Sequence, residues 1–217
     1  PSRVHPFTPR ETDNLTMEIA RYHAAAFDKT GQLYYTREDF DDFYYGKGST
    51  YPDINGSIGI LFEQAGINGH RRETIHGIID FAQTVKNQVD VSLSSMKAAF
   101  NMREKLLNHL RWFYTSAMDQ ARQHPVKGYV FGDGNDASKN QLMLDILKTH
   151  QVEVYALKQD HQAAPGRFAP GSAWIVPTGQ PQFRMVRTLF ETMLHFEDSL
   201  FYDVSTWTLP LAFQMPH

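Results

Sequence analysis

One carboxylate in this sequence stands where an acidic side chain is unusual. Residues 44–64 read YYGKGSTYPDINGSIGILFEQ, so a loop rich in tyrosine and glycine leads into a short apolar run that ends at Glu63. The run predicts a strand over residues 57–63. Acidic residues are depleted in strands, and a buried charge is costly unless it is paired or used. Glu63 is therefore a candidate general base or metal partner; the alternative is an edge-strand glutamate in solvent or in a structural salt bridge.

Residues 34–90 resemble the C-terminal part of zinc carboxypeptidases of the funnelin type. The run YGKGSTYPDINGSIGILFEQ carries the resemblance and is similar to a pattern of large bacterial members. The resemblance implies that Glu63 is the catalytic glutamate on the last strand of the peptidase sheet. It also implies that the preceding loop holds a mobile tyrosine that contacts the peptide substrate, for which Tyr44, Tyr45 and Tyr51 are the candidates.

The resemblance implies zinc as the cofactor, but we assign no zinc ligand in this sequence. In the family the ligands and the arginine that binds the substrate carboxylate lie upstream of the matching segment. A catalytic zinc site needs about three protein ligands and an open position. His5 is nearest to where the last ligand would be sought, yet its flanking residues favour a loop histidine. Because the chain also begins PSRV without an initiator methionine, we expect a fragment that carries one half of an active site.

Composition indicates a folded chain and excludes several classes of function. The 217 residues are 41% hydrophobic and 13% aromatic, which is typical of a globular protein. With a net charge of −3 and no basic run beyond Arg71 and Arg72, we expect no nucleic-acid partner. We expect no membrane span, because no apolar run is long enough. The absence of cysteine excludes disulfides and a cysteine nucleophile. The resemblance implies a secreted or periplasmic protein.

The first predicted unit, residues 1–123, is the C-terminal part of the peptidase domain, with the final sheet strand and helices. Apolar spacing predicts a helix over 11–27 that Gly31 ends, and a capping box at residues 36–39 predicts a short turn. Residues 64–80 are expected to be mostly loop. A long helix is predicted over 91–123, with an apolar stripe interpreted as core packing that comprises Met96, Phe100, Leu107, Leu110, Phe113 and Met118.

The second predicted unit, residues 124–217, is a small three-layer α/β domain with a mainly parallel sheet. Strands are predicted over 127–131, 152–157 and 172–176, with helices over 138–149 and 182–195 and an extended aromatic ending over 201–213. Asp136 or Ser138 is expected to cap the first of these helices. A strand, helix and strand in succession form a right-handed crossover typical of parallel sheets. The unit resembles amidotransferase-like (flavodoxin-like) domains, without the catalytic cysteine.

These observations predict part of a zinc-dependent metallocarboxypeptidase that hydrolyses peptides at the C-terminus. We expect Glu63 to act as general base and a tyrosine of the 44–51 loop to close over the substrate. We expect no active site in the second unit. The alternative is a non-catalytic binding or assembly module that uses the α/β unit and exposed aromatic side chains. A zinc-binding motif in the sequence preceding residue 1 would distinguish the enzyme from the module.

Overall fold

The computed structural model of this protein describes residues 4–36, 42–164, 166–194 and 207–217. The chain is mixed α/β, as its sequence predicts. In chain order its elements are α1 (Arg10–Thr30), α2 (Thr50–Asp53), β1 (Arg71–Thr74), β2 (Gly77–Asp80), α3 (Phe81–Asn101), α4 (Arg103–Gln123), β3 (Gly128–Phe131), α5 (Ala137–Thr149), β4 (Tyr155–Ala156), β5 (His161–Ala163), β6 (Gly166–Phe168), β7 (Trp174–Pro177), α6 (Phe183–Phe190) and α7 (Leu209–Ala212).

The first helix confirms its prediction and shows why it ends. Helix α1 continues past the predicted limit at residue 27 to Thr30, and acidic residues occupy its first turn, where the positive end of the helix dipole favours them. Gly31 adopts a left-handed conformation with φ of 66°, which a residue without a side chain adopts at little cost. The predicted capping box at residues 36–39 falls largely outside the described residues.

The predicted long helix over 91–123 is wrong in extent, because it is two helices. Helix α3 begins ten residues earlier, at Phe81, where the Asp80 side chain accepts a hydrogen bond from the backbone N–H of Gln83 at 2.8 Å. Helix α3 ends at Asn101 and α4 begins at Arg103, with Met102 between them at φ −99° and ψ 7°. No proline or glycine marks this break, so helix periodicity alone could not reveal it.

The stripe on α3 and α4 that was interpreted as core packing is largely exposed. Phe113 is buried at 1% exposure, but four of the other residues of the stripe, Met96, Phe100, Leu107 and Leu110, are exposed. The side of α3 that packs on α1 instead carries small or polar residues: Asn87, Val91, Ser94 and Ala98. Sequence hydrophobicity predicted the large residues as the buried side, whereas close helix packing uses the small ones.

The predicted strand over residues 57–63 is also wrong, and with it the final sheet strand of the first unit. Residues 58–67 form no strand and no helix. Ile58 and Ile60 of this segment are partly buried, because they pack against the cluster around Leu15 and Ile19 of α1. Its apolar residues therefore contact a helix surface rather than neighbouring strands. The expected loop over 64–80 includes the hairpin of β1 and β2, which turns between Thr74 and Gly77.

The sheet of the second unit is antiparallel, which corrects the prediction of a mainly parallel sheet. Strand β7 lies between β3 and β4 and pairs antiparallel with both. Strands β3 and β4 consequently run in the same direction, as a strand–helix–strand crossover requires. The prediction failed because β7, which follows the β5–β6 hairpin in the chain, inserts between the two strands of the crossover. Strand β4 is also shorter than the predicted 152–157.

Other elements of the second unit lie near their predicted positions but differ from the prediction in length. The side chain of Asp136 caps α5 by accepting a hydrogen bond from Lys139 N–H at 2.9 Å, which confirms one of the two predicted caps. Helix α6 ends at Phe190 rather than near residue 195. In the predicted extended ending over 201–213, residues 201–206 lie outside the described residues, and α7 is helical rather than extended.

The main hydrophobic core joins residues from both predicted units. Tyr45 and Ile54 belong to the same buried cluster as Phe131, Val176 and Met185. Trp207, Leu209 and Phe213 pack against that cluster from the C-terminal end. The division at residues 123 and 124 stays a prediction. Residues 44–51, which we call the tyrosine loop, pack on the second half of the chain.

Candidate functional site

The tyrosine loop forms one wall of a cavity of about 420 Å³. Helices α5, α6 and α7 supply the remaining walls. The lining residues are Tyr44, Tyr45, Gly46, Lys47, Gly48, Tyr51, Ile146, His150, Met185, Leu189 and Leu209. All three tyrosines proposed from the sequence as substrate contacts therefore lie at one site. Apolar and aromatic walls with a few polar groups are the usual composition of a ligand pocket.

Tyr51 and His150, which both line this cavity, make a polar contact with each other. The Tyr51 hydroxyl lies 2.7 Å from Nδ1 of His150, and the two ring centroids are 5.3 Å apart. Burial lowers the pKa of His150, which favours the neutral imidazole. The backbone carbonyl of His150 accepts a hydrogen bond from the Gln182 side chain at 3.0 Å. His150 follows α5 directly, so this pair connects the tyrosine loop to that helix.

Tyr44 and Tyr45 form an aromatic pair in the wall of the same cavity. Their ring centroids are 5.0 Å apart, and Tyr45 is 9% exposed. Burial, with a smaller contribution from Tyr44, raises the pKa of Tyr45, so its phenol stays neutral. A Cβ atom at Gly46 would lie 2.4 Å from the Tyr44 ring, so a side chain at this position would require that ring to move.

Two buried carboxyl groups, Asp42 and Asp53, lie under the loop. Burial first, and then the charge of Asp42, raises the pKa of Asp53 to about 8, although the hydrogen bond from Gly59 opposes this shift. The N–H of Gly59 donates to Oδ1 of Asp53 at 2.8 Å, and the Thr50 hydroxyl donates to Asp42 at 2.6 Å. Asp53 therefore ties the segment that leads to Glu63 onto the loop that carries the tyrosines.

The backbone of Gly59 approaches the loop too closely for any side chain. A Cβ atom at this position would lie 1.7 Å from the carbonyl oxygen of Ser49. Because the obstacle is backbone, it cannot be relieved by a change of rotamer. Together with the Asp53 hydrogen bond, this contact fixes the start of the segment that ends at Glu63.

Glu63 itself is exposed at the end of the extended segment. Within the residues that the structure describes it forms no hydrogen bond and no ion pair. Glu63 does not line the tyrosine cavity. The preceding Phe62 makes an edge-on contact with the His23 ring at a centroid distance of 4.8 Å. The structure thus brings the three tyrosines together and leaves Glu63 outside their cavity.

The histidines do not form a zinc site in the described part of the chain. Across residues 4–36, 42–164, 166–194 and 207–217, no three His, Cys, Asp or Glu side chains are grouped to hold a metal ion. His5 is buried beside Phe7 and Phe43, and burial, with a smaller contribution from Arg187, lowers its pKa to about 3. His5 is therefore a neutral histidine of the protein interior.

The sequence interpretation overlooked two His-x-x-Glu spacings, at His150–Glu153 and at His70–Glu73. At the first, α5 has ended before His150 and Gln151 has a positive φ of 58°, so the two side chains do not share a helix face. At the second, both residues are exposed, His70 directly precedes strand β1 and Glu73 lies in it. Side chains alternate between the two faces of a strand, so residues three apart point to opposite sides. On a helix this spacing would place both side chains on one face, but on a strand it does not form the two-ligand arm of a zinc site.

Sequence reasoning also missed Asp53, Asp42 and His150. Asp53 was visible within the motif, where a carboxylate follows Pro52 and precedes a glycine-rich stretch, but nothing in the sequence marks it as buried. His150 lies 99 residues from Tyr51. Only the tertiary structure could place it at the tyrosine loop.

No protein-family model, no curated protein and no solved structure matches this chain. The resemblance to zinc carboxypeptidases therefore depends on the sequence of residues 45–64. Among the described helices, none is both long and apolar enough to cross a membrane.

Proposed function

We propose that this chain is part of a zinc-dependent metallocarboxypeptidase and that Glu63 is its general base. The observation that carries the proposal is the exposed carboxylate of Glu63, which has no ion pair or hydrogen bond within the described residues and lies on a segment anchored at Gly59. A general base must reach the proton it accepts within hydrogen-bonding distance. A carboxylate without a structural partner, held on an anchored backbone, is suited to that role.

The described residues do not fit zinc, so the proposal assigns zinc to residues outside them. The contribution of this chain is then proton transfer by Glu63 and contact with the peptide by the tyrosine loop. A secreted or periplasmic location belongs to the same proposal.

The tyrosine cavity supports the second half of this role. A volume of about 420 Å³ is comparable to that of small-ligand pockets. Tyr51 is 37% exposed and can contact a ligand, whereas Tyr45 is buried and shapes the wall. We propose that Tyr44, Tyr45 and Tyr51 together bind a side chain or the terminus of the peptide.

The test measures peptide hydrolysis by the full natural protein that contains this chain. Peptides with a free C-terminal carboxylate should be cleaved from that end, and the same peptides with an amidated C-terminus should not. Replacing Glu63 by Gln should lower kcat by a factor of ~10² or more while zinc content is unchanged.

Glu104→Gln is the matched control, because Glu104 is an exposed glutamate on α4. Its turnover should equal that of the wild type. Wild-type turnover in the Glu63→Gln protein would exclude Glu63 as the base, and loss of folding in that variant would support the alternative of a structural glutamate.

A non-catalytic peptide-binding module is the second candidate. It is favoured by the separation of Glu63 from the tyrosine cavity. In this case the protein should bind peptides without cleaving them, with binding weakened by Tyr51→Phe and unaffected by Glu63→Gln. Calorimetric titration of both variants distinguishes the two functions.

A further inference from the structure

The outward surface of α3 is apolar along its whole length. Six large residues repeat at intervals of three or four positions, and each is between 47% and 70% exposed. We call this surface the α3 stripe; it consists of Phe81, Val85, Val89, Leu93, Met96 and Phe100. At 3.6 residues per turn these positions lie on one side of the helix. An exposed apolar surface of this length is unusual for a monomer and marks an interaction site.

The orientation of α3 that exposes this stripe is fixed from the opposite side. Asn87, Val91, Ser94 and Ala98 are buried, and the helix packs on α1. The His23 ring nitrogen Nδ1 lies 2.6 Å from the Ser94 hydroxyl, which joins the two helices. Rotating α3 to bury the stripe would break this contact. A partner outside the described residues is therefore needed to cover the stripe.

We propose that the α3 stripe is covered by a second copy of this chain, in a two-fold symmetric, antiparallel helix pair. The first argument is area. The six side chains are each about half exposed or more and together expose roughly 600 Å². Full burial of both stripes would therefore remove about 1,200 Å² from solvent, which is the lower limit for a specific, stable interface.

The second argument is charge complementarity. Asp90 and Lys97 are seven residues apart, which is about two helical turns, and so lie on the same flank of the stripe. In an antiparallel pair a two-fold axis that passes between Leu93 and Ser94 brings Asp90 level with Lys97 of the second copy. Symmetry then forms this opposite-charge contact twice. Asp90 already pairs with Lys86 of its own helix, and it would lie between two lysines.

The third argument is shape. In the same register Met96 lies level with the gap between Val89 and Leu93 of the second copy. Val89 in turn lies level with the gap between Met96 and Phe100. The side chains of the two stripes therefore interdigitate, as ridges pack into grooves between helices. One register satisfies both the charges and the packing, which is the property of a self-complementary two-fold interface.

The first experiment measures association by sedimentation velocity over a range of protein concentrations. The wild type should show a monomer–dimer equilibrium. Leu93→Glu, next to the two-fold axis, should weaken dimerisation by at least ~30-fold, the effect expected for a central interface residue. Leu142→Glu on α5 is the matched control, because Leu142 is 58% exposed and Leu93 is 59% exposed. That control should dimerise as the wild type does.

The second experiment tests the register. Asp90→Lys and Lys97→Asp should each weaken the dimer, and the chain that carries both should recover it, because the contact is restored with its charges reversed. The chain has no cysteine, so Leu93→Cys introduces a single thiol. Mild oxidation should yield a disulfide-linked dimer of Leu93→Cys and none of Leu142→Cys.

A protein that stays monomeric at every concentration would overturn the proposal, and so would a dimer that survives Leu93→Glu. Failure of the double charge reversal to restore association would overturn the antiparallel pairing. Protection of the stripe from hydrogen exchange within a monomeric longer form of this protein would identify an intramolecular occupant and overturn the dimer. None of these outcomes depends on peptidase activity, so they are independent of the proposed function.

Discussion

The side chain of Asp53 is 4% exposed and lies beside a second buried carboxyl group, that of Asp42. Its pKa is raised to about 8, chiefly because burial disfavours the charged form. A group whose pKa is higher in the folded state favours folding while it is protonated. This contribution is complete below the ordinary aspartate value of 3.8 and is lost as pH rises through about 8.

We predict that Asp53→Asn flattens the pH dependence of stability between these two values. Asparagine retains a carbonyl oxygen for the Gly59 N–H but cannot ionise. The wild-type free energy of unfolding should fall relative to that of the variant by at least ~1 kcal/mol between pH about 5 and about 8, the scale of one pKa unit. Urea denaturation at several pH values measures both proteins.

Asp119→Asn is the control for this prediction, because the Asp119 side chain is 66% exposed. Its pH profile should follow the wild type. Identical profiles for the wild type and Asp53→Asn would show that Asp53 does not titrate in this range.

At the scale of elements, the segment that leads to Glu63 is held by the tyrosine loop rather than by a sheet. Gly59 permits the close approach to Ser49, and its N–H binds Asp53. Ile58 and Ile60 then pack against the cluster that includes residues of α1. The position of Glu63 thus depends on the tyrosine loop and on the cluster that Leu15 and Ile19 of α1 form with Ala98 of α3.

We predict that Gly59→Ala destabilises the protein by about 2 kcal/mol or more, because the added methyl group meets backbone. Gly66→Ala is the matched control: its Cβ would meet no atom within 4 Å, and its change in stability should stay within ~0.5 kcal/mol. Thermal and urea unfolding measure both. Equal stability of the two variants would contradict the close approach at Gly59.

At the scale of the whole molecule, the C-terminal residues complete the main core. Met215 is 3% exposed within the cluster that contains Phe131 and Val176. The N–H of Gly132 donates to the carbonyl of Pro216 at 3.1 Å, next to the end of β3. The C-terminal end therefore packs beside the sheet of the second unit.

We predict that Met215→Ala lowers the free energy of unfolding by ~2–5 kcal/mol, because it leaves a cavity in a packed core. Leu211→Ala, at a leucine that is 51% exposed, should change it by less than ~0.5 kcal/mol. A Met215→Ala protein as stable as the wild type would show that the C-terminal end does not dock on the core.

Metal binding also belongs to this scale, because a zinc site needs side chains that the tertiary structure brings together. We predict that the 217-residue chain, expressed alone, binds no stoichiometric zinc and hydrolyses no peptide. The reason is that the described residues group no three zinc-binding side chains. Elemental analysis after dialysis measures the metal content. One zinc per chain retained against a chelator would contradict the prediction.

Local patterns in the sequence determined the elements that depend on local chemistry. Gly31 ends α1 and Asp136 caps α5, because left-handed backbone and exposed helix N–H groups each favour particular residues. Tyr44, Tyr45 and Tyr51, which are close in the sequence, line one cavity, and their role in binding a substrate stays a prediction. The mixed α/β class follows from the same local patterns.

Only the tertiary structure decided features that depend on contacts between distant residues. The antiparallel position of β7, the burial of Asp53 and the pairing of Tyr51 with His150 each join segments that local preferences treat separately. Met96 and Phe100 on α3 show the same limit, since hydrophobicity predicted these large residues inside, whereas the side of α3 that packs on α1 carries smaller ones. A sequence pattern states that a surface is apolar, but the shape of the neighbouring element decides which surface is buried.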